Sequence, residues 1–144
     1  MDLQYYARVK QLTQERESDA GFDIYADGIE NDTIIIPANR GATIPTGLFM
    51  EIEEGYYGKI FSRSGMAFKR EIIIFGGVVD SQYRGEVFVK LFNHSTVPQS
   101  ISNSDKIAQM VFMKTPKVEL NRVPHIDFLS NTERNNKGFG SSGN

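Results

Sequence analysis

Phe75-Gly-Gly-Val-Val-Asp-Ser-Gln-Tyr-Arg-Gly-Glu86 is the stretch on which the reading of this chain turns. An apolar run, Ile72 to Phe75, leads into it, and an alternating run, Val87 to Leu91, leads out. β-Branched and aromatic residues on either side of a glycine-rich interruption predict strand, bend, strand: a hairpin with a wide tip. Gly76 and Gly77 permit φ > 0 and let the backbone approach another molecule closely. Beyond them stand a carboxylate, Asp80, and a phenol, Tyr83. Access, a proton acceptor and a flat ring together point to a small-molecule pocket, although a purely structural hairpin could share this composition.

The same punctuation continues outward in both directions. Short runs rich in Val, Ile, Phe and Tyr, broken by 13 glycines and five prolines, predict strands rather than helices. Strands are expected from Leu3, over Phe22–Ala26 and Thr33–Ile36, on both sides of Pro45-Thr46-Gly47, and over Tyr56–Phe61. Further strands are expected at Gln99–Ser102, Ile107–Met113 and Lys117–Val123. The one candidate helix is a turn or two at Gly65–Lys69. Many short strands at this spacing argue for an all-β sandwich or barrel. No repeat or domain boundary interrupts them before residue 130. From there to Asn144 Phe139 is the only aromatic residue, framed by glycines, preceded by Arg134 and followed by Ser141 and Ser142. Composition reads this as a disordered tail; its donors and ring equally suit an arm that orders over a ligand.

The 144 residues suffice for one domain with a real core. A net charge of −2 supplies no global basic field for nucleic acid or anionic lipid, so an anionic ligand must be met by local donors. With no cysteine, disulfide, thiol and thiolate–metal chemistry are excluded. No apolar segment approaches the ~20 residues of a membrane span, and Met1–Lys10 has no signal-peptide core. A cytoplasmic location is the expectation. His94 and His125 are expected on the surface or in loops.

Four further segments carry polar chemistry. Asp19-Ala-Gly-Phe-Asp23 places a carboxylate at a strand start, which can be an ordinary turn residue. Ser62-Arg-Ser-Gly65 offers hydroxyls, a guanidinium and N–H groups suited to phosphate oxygens, although it is also ordinary loop composition. Gln109, within Asp105-Lys-Ile-Ala-Gln109, interrupts an apolar strand and needs hydrogen-bond partners, from the protein or from a ligand. The fourth is the tail.

Taken in order, Asp-Ala-Gly-Phe-Asp, Ser-Arg-Ser-Gly-Met-Ala, Gly-Val-Val-Asp-Ser-Gln-Tyr-Arg-Gly, Asp-Lys-Ile-Ala-Gln-Met and Arg-Asn-Asn-Lys-Gly-Phe-Gly-Ser-Ser-Gly closely resemble the five motifs of the homotrimeric dUTPases, from about Leu3 to Gly143. The resemblance implies an all-β fold, a distorted jelly roll (dUTPase-like β-clip) over residues 1–129. A flexible C-terminal arm over 130–144 would close on an active site. It implies a homotrimer with sites between subunits and cleavage of dUTP to dUMP and pyrophosphate with Mg²⁺, a reaction that lowers dUTP and supplies dUMP for dTMP synthesis. Asp80 would deprotonate the water attacking the α-phosphorus, with Gln109 beside it. Tyr83 would pack under the deoxyribose and reject a 2′-hydroxyl. Main-chain groups of Gly76, Gly77, Val78 and Val79, up to Asp80, would read uracil. Arg63, Ser64 and Gly65 would bind phosphate, Ser64 as the direct donor and Arg63 partly at the subunit interface. Asp23 would reach the metal through water, with Mg²⁺ held mainly by the triphosphate. In the arm, Arg134 would hold the γ-phosphate, Phe139 would stack on uracil, and Gly140, Ser141 and Ser142 would donate further bonds.

The chain departs from the family pattern in a few places. Asn135 replaces a frequent glycine and Ser142 a frequent threonine. Ser62 replaces a common proline, and Lys106 a common arginine at the inter-subunit channel. Ile74 stands where some bacterial relatives have an asparagine near uracil, which leaves more of the base recognition to backbone. Two rival readings stand beside this one. A dCTP deaminase shares the fold and trimer, but its Glu and Arg arrangement is not evident. The other is a nucleotide-responsive binding protein on the same jelly roll with hydrolysis secondary or absent; intact Asp80, Gln109 and Arg134 argue against complete loss of activity but leave room for an added, unidentified protein partner.

Overall fold

The computed structural model describes residues 1–132. Eleven strands and almost no helix make up this part of the chain. In order they are β1 (Gln4–Ala7), β2 (Phe22–Tyr25), β3 (Thr33–Ile36), β4 (Arg40–Ile44), β5 (Leu48–Glu51) and β6 (Tyr56–Phe61). After a helical turn at Gly65–Lys69 come β7 (Ile72–Phe75), β8 (Val78–Asp80), β9 (Val89–Asn93), β10 (Gln99–Ser102) and β11 (Lys106–Lys114). Every pairing is antiparallel, in the sheets β2-β11-β6-β8, β4-β9-β7, β1-β5 and β3-β10. The result is the jelly-roll-like all-β fold that the sequence predicts.

Period-2 alternation drives the burial. In β9, Val89, Leu91 and Asn93 face inward while Lys90 faces solvent. Ile24, Ile36, Ile44, Ile72, Leu91, Ile101, Ile107 and Met110, from seven different strands, meet in one core. In β11 the register slips between Lys106 and Ala108 against β2, a bulge that leaves both Ile107 and Ala108 buried. Beyond it, Gln109 lies opposite Asp23.

The central hairpin is more elaborate than its sequence predicts. Its arms do pair, Ile72 with Asn93 through Phe75 with Lys90, the second arm being Val89–Asn93 rather than Val87–Leu91. The tip contains a strand of its own: β8 leaves the β7–β9 sheet and joins β6 in another. Two consecutive glycines make this crossing, Gly76 at φ +76° and Gly77 at φ +104°. The close approach is to β6, since a Cβ on Gly77 would stand 2.9 Å from the Ile60 carbonyl oxygen.

The Pro45–Gly47 turn joins strands that do not pair with each other: β4 goes to β9 and β5 to β1. Glu86 holds this turn by accepting the Gly47 N–H at 2.8 Å. The strand expected at Lys117–Val123 is absent. The segment is exposed and finds no ladder partner among the described residues, with Leu120 92% accessible. Without cross-strand bonds, β-forming side chains do not make a strand. Among the described residues no helix is long and apolar enough to cross a membrane.

Candidate functional site

The polar segments collect in two separate clefts. The first, about 480 Å³, opens over the end of the four-stranded sheet and is lined by Asp19, Gly21, Asp23, Arg63, Ser64, Gly65 and Gln109 among others. Cross-strand pairing puts Asp23 of β2 beside Gln109 of β11, which in turn pairs with Phe61, the last residue of β6. Arg63-Ser64-Gly65 therefore emerges over the two side chains.

Asp23 is buried and doubly paired: Arg63 Nε donates to Oδ1 at 2.9 Å, and Lys106 Nζ lies 2.7 Å from Oδ2. The hydrogen bond and charge of Asp23 raise the Lys106 pKa above its ordinary 10.5. Using Nε for Asp23 leaves the terminal N–H groups of Arg63 without a partner among the described residues. Asp23 thus aims the guanidinium. Gln109 donates Nε2 to the Ser62 carbonyl at 3.2 Å, which answers its need for a partner from within the protein. Gly21 makes room for it, since a Cβ there would lie 2.5 Å from Gln109 Oε1. Ser64 precedes the helical turn without capping it by side chain, so its hydroxyl is not consumed there.

The second cleft, about 270 Å³, is lined by Ile60, Gly77, Val78, Val79, Asp80, Tyr83, Glu86, Val87 and Phe88. Asp80 ends β8 with an exposed carboxylate that has no partner among the described residues. Tyr83 follows in a turn, its N–H bonded to the Asp80 carbonyl at 3.1 Å. Its hydroxyl donates to the Glu86 carbonyl at 2.8 Å, and the ring lies against Gly85. Val79 turns its side chain into the core, so only its main chain can serve a ligand. Gly76 lies outside the lining. Its carbonyl accepts Lys59 Nζ at 3.2 Å, and the Gly77 carbonyl accepts the Ile60 N–H at 2.7 Å; each oxygen keeps a second lone pair.

The two clefts are far apart. Gln109 pairs with Phe61 and Asp80 with Tyr57, four residues away along β6 and on its other side. At ~3.3 Å per residue and ~4.8 Å per strand, their Cα atoms are about 16 Å apart. The structure therefore gathers Asp23, Arg63, Ser64, Gly65 and Gln109 in one place and Gly77, Val78, Val79, Asp80 and Tyr83 in another. Arg134, Phe139, Gly140, Ser141 and Ser142 lie outside the described residues.

A direct metal centre is not built here: no cluster of three or more His, Cys, Asp or Glu that could hold an ion occurs among the described residues. Asp23 is one carboxylate with both oxygens in ion pairs. Its remaining lone pairs fit a water of a Mg²⁺ carried by a triphosphate, a cation that typically keeps several waters. His94 is exposed, and His125 pairs with Asp127 at 3.0 Å. Sequence reasoning missed the pairing of Lys106 with Asp23, the Glu86 clasp on the 45–47 turn and the Gly21 cradle, all contacts across long sequence separations. Only the Gly21 cradle had a local signal, a glycine two residues before a motif aspartate.

The chain matches the dUTPase family model over residues 7–143. Deoxyuridine 5′-triphosphate nucleotidohydrolase of Fowlpox virus is 37% identical over 94% of this chain and 91% of its own length. The enzyme of that name from Nautilia profundicola is 42% identical over 94% of this chain and 97% of its own. Among solved structures, a mutant Staphylococcus bacteriophage 80alpha dUTPase with dUpNHpp superposes with a TM-score of 0.86 at 26% identity, covering 99% of this chain and 98% of that one.

Proposed function

The chain belongs to the dUTPase family of dUTP diphosphatases, and we propose that it cleaves dUTP to dUMP and pyrophosphate at sites completed between subunits of a homotrimer. The observation that carries this reading is the separation of the two clefts. Asp80 and Gln109 of the same chain, with Cα atoms about 16 Å apart on opposite sides of β6, are not placed to serve one phosphorus atom. Bringing the Asp80 cleft of one subunit against the Gln109 cleft of another reunites a base with a phosphate site. The exposed apolar residues Val118, Leu120, Ile126, Phe128 and Leu129 support assembly, since an isolated chain leaves them in water.

At such a junction Asp80, exposed and unpaired among the described residues, accepts the proton of the attacking water. Gln109, pinned by Ser62, holds the α-phosphate and that water. Ser64 Oγ and the terminal N–H groups of Arg63 take phosphate oxygens, Arg63 held by Asp23. Tyr83 lies under the deoxyribose, where a 2′-hydroxyl would meet its ring. Main-chain groups of Gly76 to Asp80 read the base. Arm residues Arg134, Phe139, Gly140, Ser141 and Ser142 close over the nucleotide and exclude water. Asp23 would reach, through water, a Mg²⁺ carried by the triphosphate, and the ion would supply positive charge to offset that of the departing pyrophosphate. In a cytoplasmic setting the reaction lowers dUTP and supplies dUMP for dTMP synthesis.

The test is pyrophosphate release with Mg²⁺ from dUTP, dTTP, dCTP and UTP in parallel, with the sedimenting mass measured on the same sample. Release from dUTP alone by a species of three chains is expected. Ammonia from dCTP, or no turnover of any of the four by folded protein, refutes the reading.

A further inference from the structure

The segment that carries Ser64 and Gly65 to the first cleft is held at its start by Ser62 and Arg63, and its far end has fewer ties. Its helix is a single turn of five residues, and a lone turn is unstable without outside contacts. Met66 is its only buried side chain, while Phe68 is 87% accessible. Nor can the turn run smoothly into β7. Glu71, which joins them, sits at φ +53°, a left-handed conformation unfavourable for a residue with a side chain.

The Glu71 carbonyl accepts the His94 N–H at 2.9 Å, and Arg70, between the turn and Glu71, adds the side-chain anchorage. Its guanidinium forks onto the start of β10: Nε donates to Gln99 Oε1 at 3.1 Å and Nη2 to the Ser100 carbonyl at 2.6 Å. Nη1 reaches back to Met66 Sδ at 3.6 Å, clasping the turn itself. The line continues inward. Gln99 Nε2 donates to Ser95 Oγ at 3.3 Å, and Ser95 Oγ donates to Asn93 Oδ1 at 2.6 Å. Asn93 is fully buried and donates to the Ile36 carbonyl at 2.9 Å. At the near end, Ser62 Oγ accepts the Ile74 N–H at 3.2 Å and the Ser62 carbonyl accepts Gln109. The stretch 62–70 is thus tied at both ends, with the phosphate-facing residues between the ties.

We propose that Arg70 is a positioning residue for polyphosphate binding, holding Ser64 and Gly65 at the cleft by fastening the far end of their turn to β10. It rests on the dUTP reading above and adds a residue that touches no substrate. Lysine cannot replace it fully, because one ammonium lacks the planar fork that meets Gln99 and Ser100 together. Displacing a binding group by a fraction of an ångström weakens the contacts that need it and spares those that do not.

The experiment compares the wild type with Arg70→Met, Arg70→Lys and Gln99→Leu, measuring kcat and KM for dUTP, Kd for dUpNHpp and for dUMP, and Tm. For Arg70→Met, KM and the dUpNHpp Kd should rise ~10-fold with kcat changed far less. The dUMP Kd should move only slightly, and Arg70→Lys should recover part of the loss. Gln99→Leu, which cuts a single bond, should show the same pattern more weakly, and it serves if Arg70→Met fails to fold. Equal losses for dUMP and dUpNHpp that follow the fall in Tm would mean a merely structural role and overturn the proposal. So would wild-type dUpNHpp affinity in folded Arg70→Met. Wild-type protein that neither binds nor cleaves dUTP overturns this proposal and the preceding reading together; an active wild type with an unaffected Arg70→Met overturns this one alone.

Discussion

Gly85→Ala is a one-carbon change whose effect can be worked out from the structure. A Cβ on Gly85 would stand 2.6 Å from Tyr83 Cζ and 3.0 Å from Cε2, and closer still to Oη. Carbon atoms rest at about 3.5–4.0 Å, so the ring must retreat by roughly 1 Å. That movement breaks the bond from the Tyr83 hydroxyl to the Glu86 carbonyl, now 2.8 Å. Both partners reach water, so the stability cost is about 1 kcal/mol, a Tm fall of about 2–4 °C. The functional cost is larger if Tyr83 closes the sugar pocket, because ~1 Å there is the difference between excluding a hydroxyl and tolerating one. We expect kcat/KM for dUTP to fall ~10-fold and the preference for dUTP over UTP to narrow by a similar factor, about 1.4 kcal/mol of discrimination. The assay is pyrophosphate release from each nucleotide with Tm measured alongside. A folded variant that keeps the wild-type ratio would refute either the control of Tyr83 by Gly85 or the placing of Tyr83 under the sugar. Tyr83→Ala then separates the two: an unchanged ratio there removes the sugar role.

Asp80→Asn should retain dUpNHpp binding in titration calorimetry while kcat falls by about 10²–10⁴-fold, the usual worth of a general base; undiminished turnover would end the assignment. Asn93→Ala should destabilise the fold by about 2–4 kcal/mol in urea unfolding, since it strands the Ile36 carbonyl that now accepts its amide and the buried Ser95 N–H that donates to its Oδ1. A loss under 1 kcal/mol would show that water replaces the amide. Lys106 has a pKa raised above 10.5 by Asp23, so its contribution is fully present below that value and is lost as pH rises through the raised folded one. The wild type should therefore be more stable than Lys106→Met at pH 8, with the gap closing toward strongly alkaline pH. A gap that stays constant would mean that Asp23 and Lys106 do not communicate.

Much of the fold was legible because strand formation here is signalled locally. Tyr56–Phe61 and Gln99–Ser102 are strands over the predicted residues, and Gly65–Lys69 is the predicted helical turn. Lys117–Val123 failed for the opposite reason. Its residues favour a strand, but a strand needs a neighbour, and none of the described residues pairs with it. The candidate residues were also legible, as five motifs in order. Their distances were not: the resemblance puts Asp80 and Gln109 in one site shared between subunits, and only the sheet shows that within one chain they stand about 16 Å apart.

By itself, then, the sequence determined most of the strands, where the chain must bend at glycine, and the family to which the chain belongs. Each of these is written in neighbouring residues. Only the tertiary structure decided that the tip of the central hairpin crosses into a second sheet, that Asp23 is held between Arg63 and Lys106, and that Arg70 ties the phosphate-facing turn to β10. These depend on register and on contacts between residues tens of positions apart, set by which buried faces meet in the common core.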